Sequence, residues 1–451
     1  MKRLGVISAM ALLLLPAIVS SVEPADEVRV LTRNIYVGAD IFRVIEAPDA
    51  ISALLEIAAV YQTVLDTDFA ARAEALADEI LETSPHLIGL QEVSLLRRQS
   101  PGDALAGNPV PAVDVELDFL QILLDAMVSR GLTYEVAAVI ENADVELPLL
   151  GPVLDDIRLT DRDVILVRND VVISNPLTRT YDNFVSVNLS GLDIQFKRGL
   201  LAVDAQVSGR TYRFVNTHLE TGGDFGGAVQ ALQAPELIDA LADEYLPVIL
   251  LGDFNASPDA APELAYAQLI DAGFVDTWLQ FAPADPGFTC CHIETLNNPL
   301  PELSSRIDIV FVRNAATPAA IVIHSEVVGD EIGDQTPGGL WPSDHAGVFA
   351  TLNIPVGDND GDGLDDLSDN CITVENTDQR DTDFDGFGNI CDPDFNQDQL
   401  VNFADLAYMG AHFFTDDPDA DLNGDGRANF RDLAIMANLF FRPPGPSALA
   451  Q

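Results

Sequence analysis

Short apolar, β-branched runs that each end in a polar, ligand-type side chain recur along this 451-residue chain, and that pattern constrains its fold most. The clearest case is Val248-Ile249-Leu250-Leu251-Gly252-Asp253-Phe254-Asn255-Ala256-Ser257-Pro258. Val248–Leu251 reads as a buried strand, Gly252 breaks it, and Asp253 and Asn255 follow at its end. Alternation along an extended chain puts residues i and i+2 on one side. A carboxylate and an amide are therefore expected to share one space, as groups around a metal-bound phosphate do. Gly-Asp-x-Asn is also an ordinary turn sequence, so its meaning rests on the other strand ends.

Those ends follow in order. Val28–Ile35 alternates as a first strand and delivers Asn34 near its end. The spacing predicts an amphipathic helix over Phe69–Thr83, stopped by Pro85, and then a strand over His86–Val93 that carries Gln91-Glu92. A glutamate there is costly to bury unless paired or bound to metal; a surface ion pair is the plain alternative. Arg97–Val115 reads as a Pro/Gly-interrupted loop and Leu117–Arg130 as a helix. Strands follow at Asp163–Arg168, Leu200–Val207 and Thr211–Asn216, the last leading into Thr217-His218. A helix over Gln230–Glu244 returns to the Val248 run. Ser305–Val312 is a strand with Asp308 inside it, and Pro342-Ser343-Asp344-His345-Ala346 precedes a last strand, Val348–Ile354. Strands alternating with helices, with polar groups gathered at strand ends, indicate an α/β or α+β enzyme.

Charge and compartment narrow the reading. The formal net charge is −49, of which −17 falls beyond Val356, so the main domain is itself strongly anionic. Such a surface offers no basic footprint for duplex DNA and suits salty surroundings, where solvated carboxylates are screened. Residues 1–21 carry Lys2 and Arg3, an apolar run from Leu4 to Val19, and small residues at the end, the pattern of a secretory signal. The expectation is a secreted protein, extracellular or periplasmic, with no transmembrane segment in the mature chain; an uncleaved anchor is the alternative. Four cysteines in an exported chain suggest disulfides. Cys371 and Cys391 flank one acidic loop and are expected to be bridged. Cys290-Cys291 is open between a vicinal bridge, two thiols and a metal clip.

Asn34, Gln91-Glu92, Asn216-Thr217-His218, Gly252-Asp253-Phe254-Asn255, Arg306-Ile307-Asp308 and Ser343-Asp344-His345 stand in one order. Together they resemble the endonuclease/exonuclease/phosphatase superfamily over nearly all of 28–354. The resemblance implies a four-layered α/β/β/α sandwich of two packed mixed sheets. It also implies a metal, Mg²⁺ or Mn²⁺, held by Glu92 with Asn34 nearby and Asp344 adding to it. Asp253 and Asn255 would position water and phosphate. His345, held by Asp308, would serve as base or phosphate contact, and His218 as the second histidine and acid. Two departures stand out: Arg33 where a tryptophan often precedes the asparagine, and no evident active-site tyrosine between Glu92 and His218, where Arg158–Ile165 lies instead.

The acidic tail repeats. Asp358, Asp360 and Asp362, and then Asp381, Asp383 and Asp385, alternate with turn glycines, and such carboxylates repel unless a hard cation binds them. The stretch 357–393 resembles a thrombospondin type 3 repeat. An internal repeat with a 27-residue offset follows. Asp394, Asn396, Asp398, Asn402 and Asp405, and Asp421, Asn423, Asp425, Asn429 and Asp432, fall at positions 1, 3, 5, 9 and 12 of a calcium loop. Each loop leads into one apolar helix, Leu406–Phe414 or Leu433–Phe441. Residues 394–442 thus resemble a dockerin domain, which implies Ca²⁺ and a cohesin-like or cell-surface partner; two loops on their own equally suit a stabilising cap. Gln399 stands where the second loop has Gly426, so the first site is expected to be the weaker.

The reading is a secreted, divalent-metal-dependent phosphodiesterase, nuclease-like, with a calcium-ordered C-terminal anchor. Its substrate is nucleic acid or, alternatively, a phospholipid headgroup as for a sphingomyelinase. A non-catalytic adhesion or scaffold protein is the alternative of another class, and it predicts loss of Glu92, His218, Asp253 or His345.

Overall fold

Val30, Leu87, Ile165, Leu201, Phe214, Ile249 and Val310 meet in one buried cluster, and two sheets are built around it. The structure is a computed structural model that describes residues 27–106, 109–189, 192–258, 263–314, 320–355, 357–366 and 368–450. The expected leader, 1–21, lies outside them.

The chain runs β1 (Val28–Asn34), α1 (Phe42–Ile45), α2 (Ala50–Asp66), α3 (Phe69–Thr83), β2 (Leu87–Gln91), β3 (Leu95–Gln99), β4 (Asp114–Asp118) and α4 (Phe119–Ser129). It continues through β5 (Tyr134–Leu149), β6 (Asp155–Arg168), β7 (Val172–Thr180), the β8–β9 hairpin (Val185–Leu189, Leu192–Phe196), β10 (Gly199–Val207) and β11 (Arg210–His218). Next come α5 (Gly223–Ala240), β12 (Val248–Asp253), α6 (Leu264–Asp271), β13 (Val275–Asp276), α7 (Thr277–Phe281), β14 (Asp308–Arg313), β15 (Ile321–Val328) and β16 (Gly347–Asn353). Two helices close the chain, α8 (Phe403–His412) and α9 (Phe430–Leu439).

Among the described residues, one sheet runs β15-β16-β1-β2-β6-β3-β4, with β5 also on β6; the other runs β13-β14-β12-β11-β10-β7. β1–β2 and β11–β12 pair parallel and the other pairs antiparallel, so both sheets are mixed. The outer face of the first sheet buries Ile57, Leu76, Ile80 and Leu123 of α2–α4, and that of the second buries Leu237 and Leu269 of α5 and α6. This is a mixed α/β fold of two packed sheets flanked by helices.

Several sequence expectations shift. Arg97–Val115 is not all loop: β3 and β4 occupy its ends, paired with each other. Asp118 caps α4 through the Leu120 N–H, which sets the helix start at Phe119. α5 begins at Gly223, seven residues before Gln230, and Ser305–Ile307 precede β14 rather than belong to it. α2 buries Ala53, Ile57, Val60 and Val64 at helical spacing, a stripe that the exposed apolar residues Ile51 and Leu55 blur in the sequence.

Polar ties between layers place the site. Gln91 Nε2 donates to Asn216 Oδ1 at 2.7 Å, and Asn216 Nδ2 donates to the Leu90 and Val164 carbonyls, linking the two sheets beneath the strand ends. Both residues belong to the recurrent polar motifs, and both are structural. Gly252, at φ +151°, lies so close to β11 that a Cβ would stand 1.9 Å from the Thr217 carbonyl oxygen. Arg33, the departure before Asn34, is buried and bonds Glu79 of α3 in two places, at 2.9 and 3.0 Å; its third donor meets the His345 carbonyl. Arg72 of α3 donates to the Ile35, Tyr36 and Pro342 carbonyls. One helix therefore holds both chain segments that carry the site.

In the tail, Cys371 and Cys391 are joined and fully buried. Met409, Met436, Val401 and Leu422 bring α8 and α9 into one small core. These helices start at Phe403 and Phe430, three residues before the expected starts, because Asn402 and Asn429 are their N-caps.

Candidate active site

The strand ends converge. β1 delivers Asn34, β2 runs into Glu92, β11 ends on His218, β12 on Asp253, and β14 begins with Asp308; Asp344 and His345 precede β16. Asn34 Nδ2 donates to Glu92 Oε1 at 3.1 Å and to Asp253 Oδ2 at 3.0 Å. Its oxygen accepts the Tyr36 N–H, and Glu92 Oε2 accepts the Val37 N–H at 2.8 Å. Asp253, Asp308 and His345 offer ligand atoms within 4.8 Å of one another.

Asp253 and Asn255 do share one space, but not through strand alternation. Asn255 sits at φ +49°, and its N–H bonds Asp253 Oδ1 at 2.9 Å, so a tight turn replaces the extended chain. That turn brings Asn255 Nδ2 within 3.2 Å of His218 Nε2, while Asp253 Oδ2 lies 3.5 Å from the same nitrogen. Tyr36 and Glu92 also have positive φ, +60° and +59°. Three side-chain-bearing residues in a strained backbone region meet at one site, as at functional centres.

Both histidines are buried and their states are fixed by neighbours. His345 Nδ1 bonds Asp308 Oδ2 at 2.8 Å, which leaves Nε2 facing outward, 3.9 Å from Cys291 Sγ. Burial lowers its pKa, but Asp308, Asp344 and Asp253 outweigh that and raise it well above the ordinary range. Arg198 Nη1 lies 2.9 Å from His218 Nδ1. A guanidinium only donates, so the neutral ring accepts at Nδ1 and carries its proton on Nε2, the edge that faces the Asp253 carboxylate. Burial and Arg198 pull the His218 pKa down, and Asp163 and Asp253 pull it up by more.

The carboxylates feel their burial. Asp308 is raised, first by desolvation and then by Asp253, against the lowering effect of His345; its Oδ1 is buried without a partner. Asp344 is pushed up to about 7 by burial and by Glu92, against the lowering effect of His345. Negative charge is thus concentrated beyond what the local cations balance.

Some members of the cluster have no strong sequence signal. Tyr36 donates its hydroxyl to the Glu294 carbonyl at 3.1 Å and lines the same cavity. Asp161 and Asp163, inside the segment where a tyrosine was sought, lie beside Arg198 and His218 at 3.7 Å each. Their Asp-x-Asp spacing on one strand face was the legible hint. Cys290 and Cys291, left open by sequence, are paired with each other.

The tail carboxylates form separate groups. Asp358, Asp360 and Asp362 cluster, as do Asp381, Asp383 and Asp385. Asp394 accepts the Asp398 and Gln399 N–H groups, and Asp421 those of Asp425 and Gly426. Asp405 and Asp432, fully buried, close the loops on Asn396 and Asn402 and on Asn423 and Asn429. The Asn402 and Asn429 side-chain oxygens are engaged as caps on Ala404 and Arg431. Gln399 takes φ +64° where Gly426 takes +90°, a conformation that favours the glycine.

A model of the Endonuclease/Exonuclease/phosphatase family matches residues 65–345. No curated protein matches the chain. Solved structures similar to it include a humanized D. rerio TDP2, at 17% identity over 73% of this chain and 99% of that one, TM-score 0.44. Another is a mannosyl-6-phosphatase from Bacteroides thetaiotaomicron, at 18% identity over 72% and 99%, TM-score 0.44. A third is an endonuclease/exonuclease/phosphatase from Beutenbergia cavernae, at 22% identity over 74% and 72%, TM-score 0.44.

The electrostatic account of His345 is open to direct measurement. Asp308→Asn removes the foremost of the influences that raise its pKa and leaves the burial that lowers it. An NMR titration in chelator should show the His345 pKa falling toward or below its ordinary value. An unchanged value would mean that Asp308 does not govern the ring.

Proposed function

The chain belongs to the endonuclease/exonuclease/phosphatase family, and on that premise we propose that residues 28–354 are a divalent-metal-dependent phosphodiesterase. The observation that carries this reading is the meeting of Glu92, His218, Asp253, Asn255, Asp344 and His345 on one cavity at the strand ends, with Asn34 and Asp308 bonded to them from behind. A scaffold protein has no use for two buried histidines oriented by carboxylates.

The donor set fits a hard cation. Glu92 and Asp344 are oxygen donors, Asn34 bonds Glu92, Asp308 has an orphaned oxygen, and Asp344 is raised by burial and by Glu92. Glu92 and Asp344 would hold Mg²⁺ or Mn²⁺, which when bound neutralises phosphate charge and lowers the pKa of water. Asn34 locks Glu92 and Asp253 in one geometry. Asp253, with one oxygen fixed by the Asn255 N–H, orients the His218 edge. His218 offers its Nε2 proton to the leaving oxygen, and Asn255 Nδ2 points at the same place. His345, oriented by Asp308 and with its pKa raised by the surrounding carboxylates, contacts the phosphate through Nε2. Removing such a group ordinarily costs about 10²–10⁴-fold.

The tail reading is a thrombospondin type 3-like segment, 357–393, and a dockerin-like unit, 394–442, ordered by Ca²⁺ and serving as an anchor. Its support is the spacing of the loop carboxylates and their closure by Asp405 and Asp432. Secretion, on the leader pattern of residues 1–21, agrees with it.

Purified protein should hydrolyse a small phosphodiester with Mg²⁺ and lose activity in chelator. Glu92→Gln, His218→Ala and His345→Ala should each lower turnover at least ~10²-fold while the protein stays folded. Near-normal activity in a folded His345→Ala protein would refute the assignment.

The tail responds differently. Burial, and then Asp385, push Asp392 up to about 8. A carboxyl whose folded pKa is raised stabilises at low pH and loses that contribution as pH rises from about 4 toward 8. In chelator the tail should therefore melt at lower temperature at pH 8 than at pH 5, and Ca²⁺ should remove the difference. Asp421→Ala should blunt the calcium response more than Asp394→Ala. Identical melting in chelator and calcium at both pH values would leave the tail without a cation role.

A further inference from the structure

The cavity over the site encloses about 490 Å³, within the size range of small-molecule pockets. Its floor holds the polar groups described above, from Glu92 to His345. Its walls are of another kind. Val44, Ile57, Val60 and Val64 of α1 and α2 line one side, and Leu96 and Ile157 of β3 and β6 another. All six are buried, so they belong to the hydrophobic core yet leave a space open toward the catalytic floor. At the rim Phe42 packs against Phe225 at 4.9 Å and Phe196 at 6.1 Å, so these rings are engaged with one another.

Charge completes the picture. Lys197 and Arg198 are the only lysine and arginine that line the cavity, and Lys197 is the only lysine among the described residues. Arg198 is committed to Asp161, Glu220 and His218. A strand of nucleic acid carries a phosphate on every residue and needs a basic track with stacking rings. Here there is countercharge for one phosphate, and the lining beyond it, aliphatic side chains with Tyr36, Tyr61, Phe42 and Phe196 among them, offers no second basic track. The helix that lines the cavity with Ile57, Val60 and Val64 also exposes Ile51 and Leu55, 74% and 60% accessible, in its first two turns. An apolar edge of this kind suits a lipid surface.

We propose that the substrate is an amphiphilic phosphoester of phospholipid type, its acyl or alkyl chain filling the aliphatic walls while its phosphate rests on the floor. This rests on the phosphoesterase reading and names its substrate class. Apolar contact along a chain adds with each methylene, by about fourfold in affinity for each one buried. A bare phosphodiester forgoes that gain.

The test uses full-length protein with Mg²⁺ and a series of p-nitrophenyl phosphodiesters bearing methyl, butyl or octyl groups, each below its micellar concentration, beside a single-stranded DNA oligonucleotide. Calorimetry with methyl and octyl phosphate runs in parallel and needs no turnover. The expected result is a kcat/KM that climbs at least ~100-fold from methyl to octyl, with octyl phosphate bound more tightly by a similar factor. Val60→Asn should cut the octyl-to-methyl ratio at least ~10-fold while leaving the methyl ester rate within about twofold. Phe42→Ser, at the half-exposed rim, should do the same if the Val60 variant fails to fold. Hydrolysis with a flat series and equal binding would overturn the lipid assignment and leave the phosphoesterase standing, as would preference for the oligonucleotide. Chain-dependent binding without hydrolysis of any ester would keep the pocket and overturn the catalytic reading. Neither hydrolysis nor chain-dependent binding would overturn both.

Discussion

Negative charge buried at strand ends is the constraint on which the rest of this structure depends. Glu92, Asp253, Asp308 and Asp344 reach one place from different parts of the chain, and Asp253 and Asp308 are all but inaccessible to solvent. Isolated, such groups cost several kcal/mol each to bury. Local offsets are visible: Asn34 shared between Glu92 and Asp253, the Asp308–His345 bond, and Arg198 behind His218. They fall short, since Asp308 and Asp344 remain displaced upward and one Asp308 oxygen has no partner. The surrounding architecture resists the resulting repulsion. Arg72 and the Arg33–Glu79 pair clamp the two site segments to α3, and the Gln91–Asn216 bond ties one sheet to the other.

The cavity extends the same division of labour. Polar groups are held on the ends of paired strands, where backbone hydrogen bonding is already satisfied. The apolar walls come from α1, α2 and the strands β3, β5 and β6. Polar groups and apolar lining are thereby assigned to different elements, so the walls can vary without disturbing the floor.

How much of this was legible follows from what a sequence encodes locally. β1, β2, β11, β12, β14 and β16 were readable because a short apolar run with a polar terminus is a local signal, and their order supplied the family resemblance. Asn255 was placed beside Asp253 correctly but for the wrong reason: its positive φ makes a turn, which alternation does not anticipate. Asp161 and Asp163 reach the site through the register of β6, and Arg198 because it directly precedes Gly199, which pairs with His218; both are long-range facts. α2 escaped notice because exposed apolar residues, Ile51 and Leu55, blur the buried stripe of Ala53, Ile57, Val60 and Val64. Arg33 looked like a defect in the motif until its pairing with Glu79 and the His345 carbonyl was seen.

The central claim is that a divalent cation completes the carboxylate cluster. Crystals grown with Mn²⁺ and examined by anomalous diffraction test it most directly, since the scattering locates the ion without reference to activity. The account predicts a peak at coordination distance from the Glu92 and Asp344 carboxylates, about 2.1 Å, that disappears in Glu92→Gln. Manganese confined to the C-terminal loops, with Glu92 and Asp344 met only by water or protein, would contradict it.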